Sequence, residues 1–357
     1  MAKPSKVAAV ENGRRSSSVT TAVVTMRTIA GIAGVSAMTV SRALKAESLV
    51  SKATRDRVLA AVERTGYLPD ATARVFATRR SGFVAVLIPA LNHSNFADTL
   101  HGMSEAFDAA GLQILLGDTR YAAPREESLI AALLQRRPEA IVLTSGVHTA
   151  RTRAMLASAG VPVVEIWDLP KQAIGSVVGF SNQEAGAAMA RYLHAQGRRR
   201  IGFIGGGASR DTRGAERRVG FQRAIRELGL PRGRIVGIGE PPSSMTQGAE
   251  GLDIMLRQWP DTDAIACVSD LLAFGVLAEC QRLGIAVPSR LALVGFGDFE
   301  VARCCHPRLT TIAVDCRGIG RRAGEVALRA IEARRRGERF APETTALALR
   351  IVERETA

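Results

Sequence analysis

Long apolar runs are missing from this sequence. No stretch approaches the ~20 consecutive apolar residues that a membrane-spanning helix requires, so no membrane partner is expected. Residues 1–23 are rich in Ser, Ala, Val and basic residues and hold no apolar core, which argues against a secretion signal and for a cytoplasmic protein with a disordered basic tail. Cysteine is sparse. The five (Cys267, Cys280, Cys304, Cys305, Cys316) include no C-x-x-C pair and no histidine partner at metal-ligand spacing, so they read as reduced thiols without a metal. Catalytic signatures are missing as well: no G-x-x-x-x-G-K-[ST], H-E-x-x-H or G-x-S-x-G occurs. Gly202 to Gly207 follow an apolar run, but the residue three beyond Gly207 is Arg210, so a dinucleotide loop fails on spacing. Neither an enzyme nor a cofactor is implied. Acid is short relative to base, 34 residues against 48, and the formal net charge of +14 favours a polyanionic partner held in a salt-sensitive way.

What is present begins at Thr25. Residues 25–41, T-M-R-T-I-A-G-I-A-G-V-S-A-M-T-V-S, spell a helix, a turn at Gly34 and a second short helix. Ile29, Ala30 and Ala33 share one face of the first helix; Gly34 supplies the positive φ that ends it. Ser36 caps the second, in which Val40 and Leu44 turn inward four residues apart. Ala37, Met38, Ser41 and Arg42 are then left to face outward, as in a helix-turn-helix that enters the major groove of DNA. Ser51 caps a third helix through Val58, Leu59 and Val62 to Gly66.

Beyond Phe83 short apolar runs alternate with amphipathic segments. Strands are expected at 83–88, 114–116, 141–143, 163–166, 201–204, 265–268 and 291–295, with helices near 96–110, 126–135, 185–196, 215–228, 245–258, 272–283 and 320–334. Strict alternation implies parallel sheets covered on both faces. About 270 residues exceed one ordinary sheet, so two α/β lobes with a cleft between them follow.

The pattern V-S-x-x-T-V-S-R…V-S…T-R…V…G-Y-x-P…A-R between Val35 and Arg74 resembles the LacI/GalR family. The resemblance continues through Ser269-Asp270, Val294-Gly295-Phe296 and 309–312. It is strongest toward the family's gluconate-utilisation repressors in 148–152, 161–165, 178–185, 279–284 and 307–309. It implies an all-α DNA-binding domain at 24–68, a hinge helix at 69–80 that enters the minor groove, and a two-lobed periplasmic-binding-protein-like core at 81–357. Lobe 1 would hold 81–181 and 312–340, and lobe 2 would hold 182–311 and 341–357, with chain crossings near Ser181, Thr311 and Phe340. DNA contacts would come from Thr25, Ser36, Ala37, Met38, Thr39, Ser41, Arg42, Ser51, Thr54, Tyr67, Asp70, Ala73, Arg74 and Phe76. Phe76 departs from the leucine usual at its position.

Effector residues should lie at the carboxyl ends of strands: Asn92, Asn95, Phe96, His148, Glu165, Asp168, Asn182, Arg210, Arg213, Ser243, Ser244, Asp270 and Phe299. Asp270 leads them, since a carboxylate accepts two hydroxyls at once; it could equally cap the helix near Leu272. Either Arg210 or Arg213 could grip a carboxylate. The resemblance implies a dimeric transcriptional repressor on a pseudo-palindromic operator, released by gluconate or a related aldonate. A neutral sugar, sugar phosphate or purine is the alternative effector, and a solute-binding protein the alternative class.

Overall fold

The computed structural model describes residues 24–44, 50–68, 80–144, 146–207, 210–231 and 233–357. The tail at 1–23, the hinge at 69–79, and with it Asp70, Ala73, Arg74 and Phe76, lie outside the described residues. The chain divides into two units, Met1–Arg79 and Arg80–Ala357.

In the first unit, α1 (Met26–Ala33), α2 (Ala37–Ala43) and α3 (Lys52–Thr65) each begin at a hydroxyl cap: Thr25, Ser36 and Ser51. Each hydroxyl accepts a backbone N–H that the helix itself leaves unpaired. Gly34 and Gly66 end α1 and α3 at φ 63° and 62°. The three helices close over Ile29, Ala30, Ala33, Val40, Ala43, Val58, Ala61 and Tyr67.

In the second unit two six-stranded sheets share one plan. Lobe 1 is built from β1 (Phe83–Ile88), β2 (Gln113–Asp118), β3 (Ile141–Leu143), β4 (Val163–Ile166), β5 (Ser176–Gly179) and β11 (Thr344–Ala346), in the order β11-β5-β4-β3-β1-β2 and parallel throughout. Lobe 2 uses β6 (Ile201–Ile204), β7 (Ile235–Val236), β8 (Ala264–Cys267), β9 (Ala292–Gly297), β10 (Thr310–Ala313) and β12 (Arg350–Val352), in the order β12-β10-β9-β8-β6-β7, with β12 antiparallel to β10. The central strands are apolar on both faces, as parallel strands covered on both sides must be. Helices α4 (Ser94–Asp108), α5 (Ala123–Leu134), α6 (Ala150–Ala159) and α12 (Cys316–Arg335) go with lobe 1. Helices α7 (Asn182–Ala195), α8 (Thr212–Glu227), α9 (Met245–Gln258), α10 (Asp270–Arg282) and α11 (Glu300–Cys304) go with lobe 2.

The chain passes between lobes at 180–182, at 314–315 and at 347–349. The third passage replaces the expected one near Phe340, because Thr344–Ala346 pair with Val177–Gly179 and stay in lobe 1. One close approach positions the site. A Cβ on Gly186 of α7 would collide with the carbonyl oxygen of Arg217 on α8, and one on Gly220 of α8 with that of Gln183. Glycine at both points lets the helices touch, which sets Arg217 against Asn182.

Candidate functional site

The first unit offers one reading surface. Met38 is 63% exposed and Arg42 is exposed beside it, while Ala37 and Ser41 are half-buried and Val40 is buried. Ser36, Thr39, Thr25, Ser51 and Thr54 face solvent in whole or in part, and all serve caps: Ser36 Oγ accepts from Thr39 N at 3.1 Å, and Ser51 and Thr25 accept from Thr54 and Thr28. Tyr67 is 7% exposed and belongs to the small core, which corrects its expected place on DNA.

In the second unit a cavity of about 410 Å³ opens between the lobes. Pro89, Thr119, Tyr121 and Thr144 line it at strand ends of lobe 1, and Arg210 to Arg213 at the start of α8 in lobe 2. Arg213, 7% exposed, spans the gap: its Nη1 donates to the carbonyl oxygen of Thr144 at 3.0 Å, and its guanidinium lies 5.5 Å from the Phe96 ring centre and 5.9 Å from that of Tyr121. Arg217, one turn on and 8% exposed, lies 4.2 Å over Phe296 and donates from Nη1 to Asn182 Oδ1 at 2.5 Å. Its Nε has no partner. Burial pulls the Arg217 pKa down to about 10, opposed by Asp211 at longer range, so it is cationic at neutral pH. Neither guanidinium takes part in an ion pair among the described residues, whereas Arg210, Arg234 and Arg354 each hold a carboxylate.

Around these cations the wall is aromatic. Phe96, Trp167, Phe180 and Phe296 contact one another in sequence at 5.5–5.8 Å. Tyr121 and Trp167 hold left-handed φ values of 55° and 71°, a conformation costly outside glycine. Asn182 Nδ2 donates to the Trp167 carbonyl at 3.2 Å and to Asp168 Oδ1 at 3.1 Å, tying the start of α7 to lobe 1. His93, its pKa lowered by burial, meets the Ser243 carbonyl at 3.2 Å as a further bond between lobes. Asn95 is 5% exposed and its Oδ1 has no partner. Of these groups Tyr121 and Arg213 belong to the lining of the cavity itself, which offers a polar anion a ring face and a buried cation.

Several expected effector residues are placed elsewhere. Asp270 is fully buried, with Oδ1 accepting from the Thr311 hydroxyl at 2.6 Å and Oδ2 from Phe299 N at 2.8 Å. Burial raises its pKa to about 7 against those two hydrogen bonds. It ties α10 to β10 and to the loop after β9, and Ser269, not Asp270, caps α10. Phe299 serves the same junction. The His148 side chain has no exposure; its Nδ1 meets Glu126 Oε1 at 2.7 Å and its Nε2 meets Glu165 Oε1 at 3.2 Å inside lobe 1. Burial lowers its pKa, but the two carboxylates outweigh that and raise it to about 9. Arg210 stays at the cavity but is exposed and paired with Glu240 at 2.6 Å, whereas Arg213 is the arginine that reaches lobe 1. Ser244 is committed to a capping box on α9, and Asn92 is exposed in the loop before α4. Arg217, Thr144 and Tyr121 were not anticipated. The one signal for Arg217 is its position four residues after Arg213, on the same helical face.

A model of bacterial regulatory proteins of the lacI family matches residues 25–70, and a periplasmic binding protein-like domain matches residues 190–357. The chain is 36% identical over 309 residues to the HTH-type transcriptional regulator GntR of Pseudomonas aeruginosa, covering 87% of this chain and 90% of that one. A LacI family transcriptional regulator from Silicibacter pomeroyi superposes with a TM-score of 0.86 at 33% identity, covering 93% and 99%. The transcription regulator GntR from Chromobacterium violaceum gives 0.71 at 39%, covering 77% and 98%.

Proposed function

The chain belongs to the LacI family of DNA-binding transcriptional regulators, and from that membership we propose that it is a dimeric repressor relieved by a sugar acid, gluconate or a close aldonate, bound between the lobes. The observation that carries the effector class is Arg213, which lines the cavity, is more than nine-tenths buried and has no carboxylate partner among the described residues; Arg217 lies one turn behind it in the same state. Buried charges are ordinarily paired, because desolvation is costly. A carboxylate entering the cavity would supply the missing partner of Arg213. Curated relatives named GntR support the same class.

The mechanism is a population shift. An anion held between Arg213 of lobe 2 and the strand ends of lobe 1 favours one lobe arrangement over the other. Operator affinity changes by the difference in ligand affinity between the two arrangements. Two copies related by a two-fold axis would double a short half-site. The test is a thermal-shift panel followed by operator release. Gluconate or another aldonate should raise the melting temperature and release DNA, with glucose and guanine inert. Stabilisation by a neutral hexose or a purine, with every sugar acid inert, would overturn the effector assignment and leave the regulator class standing.

A further inference from the structure

We propose that the edge of lobe 1 opposite the cavity is a second DNA-binding surface, gripping phosphates beside the operator without regard to sequence. The sheet of lobe 1 is parallel, so its strands share one carboxyl edge and one amino edge. The cavity uses the carboxyl edge, through Pro89, Thr119 and Thr144. At the amino edge the chain arriving from the helix-turn-helix unit enters β1 through Arg80 to Phe83. Glu139 marks that place: its N–H donates to the Phe83 carbonyl, and its Oε1 accepts from Gly82 N at 3.4 Å. Its Oε2 accepts from Arg335 at 3.0 Å, which brings the last turn of α12 to the same edge.

Arginine accumulates there. From Arg329 to Glu343 five arginines stand against three glutamates, and Arg136 and Arg137 follow α5 just before Glu139. Arg329, Arg335 and Arg336 hold Glu343, Glu139 and Glu338, and the last two also offset the dipole of α12. Arg136, Arg137, Arg334 and Arg339 are exposed, and their side chains make no ion pair or hydrogen bond among the described residues. Arg137 holds φ at 55°, a conformation glycine takes freely, so a cation is kept there against backbone preference. The occupant follows from charge and tether. Duplex DNA presents one phosphate charge per ~1.7 Å of its axis, and arginine holds phosphate by a two-pronged pair. The chain from Leu68 to Arg80 spans at most roughly 40 Å, which keeps DNA bound by the first unit within reach of this edge.

The experiment selects an operator duplex with the full chain, then compares it bare and extended on each side by about one helical turn of arbitrary sequence. The wild type should bind the extended duplex more tightly and with a steeper dependence on salt. The triple variant Arg136→Gln/Arg334→Gln/Arg339→Gln should lose that gain. Its slope of log affinity against log salt should flatten by about one for each arginine removed, equally on operator and scrambled extended duplexes. On the bare operator it should match the wild type, which also shows that it folds. Arg257→Gln/Arg282→Gln/Arg308→Gln removes the same charge from lobe 2 and should keep the gain. The proposal is overturned if the flanks do not help the wild type, or if the lobe 1 variant keeps the gain; the arginines then serve another acidic partner or none. It is overturned equally if the lobe 2 variant loses as much, or if the lobe 1 variant is weakened as much on the bare operator.

Discussion

Lobe 1 and lobe 2 lay out their six strands in the same order, yet they bring different chemistry to the space between them. Lobe 1 contributes the Tyr121 ring, and the one carboxylate it brings to the cavity wall, Glu126, is already paired with His148, which sits between Glu126 and Glu165 with no exposure. Lobe 2 contributes cations. Arg213 and Arg217 rise from the first two turns of α8 and find a carbonyl, an amide and ring faces, but no carboxylate. A duplicated architecture therefore does not dictate a duplicated surface. Self-paired charge in one lobe and unpaired charge in the other make the pair of lobes incomplete in the way an anion completes.

The largest expected effect tests the unpaired side. Arg213→Met should cost gluconate roughly 2–5 kcal/mol, the usual penalty for truncating one partner of a buried charged pair, as read by calorimetry on the purified protein. Arg257→Met, which removes an exposed ion pair with Asp253 away from the cavity, should leave binding within about 1 kcal/mol of wild type. Equal losses in both variants would break the contrast between the lobes.

Next in size is Asp270. If it ties strands together and does not hold ligand, Asp270→Ala leaves the Thr311 hydroxyl and the Phe299 N–H without an acceptor. Unfolding in denaturant should then register a loss of about 2–3 kcal/mol. Asp270→Asn retains one acceptor oxygen and should keep the effector response. A folded Asp270→Asn protein that no longer responds to gluconate would return Asp270 to the cleft.

Asp270 also marks where sequence reading stops. The long apolar strands, the helix caps at Ser36 and Ser51 and the glycine stops at Gly34 and Gly66 were legible, because local chemistry decides them. Three strands were not. Ser176–Gly179, Ile235–Val236 and Thr344–Ala346 hold at most two bulky apolar residues in a row, unlike the equally short Ile141–Leu143, and exist through their neighbours in the sheet. The role of Asp270 depends on Thr311 and Phe299, 41 and 29 residues away. Nothing in the sequence separates Arg217 from an arginine on a solvated helix face, since only the packing of α7 on α8 buries it. His148 misled for the converse reason: a polar residue at a strand end was placed in the cleft, whereas two carboxylates from α5 and β4 hold it inside.

The smallest expected effect tests the self-paired side. His148 is bound as an imidazolium between Glu126 and Glu165, and its pKa in the folded protein is about 9, above the ordinary 6.5. A group whose pKa rises on folding adds stability that is complete below the unfolded value and fades as pH climbs through the folded one. The wild-type advantage over His148→Gln should therefore be full near pH 6 and shrink between pH 6.5 and 9.5. We expect a change of roughly 1–2 kcal/mol, set below the full linkage of about 1.4 kcal/mol per pH unit to allow for the hydrogen bonds that glutamine retains. Urea melts of the two proteins at matched ionic strength give the difference directly, with other titrating groups cancelling between them. Gluconate affinity measured at pH 7 should be the same in both proteins. A stability gap that does not close with pH would remove the imidazolium from the account of lobe 1. A large loss of gluconate affinity in His148→Gln would place His148 in the effector site, and lobe 1 would then contribute charge as well as rings.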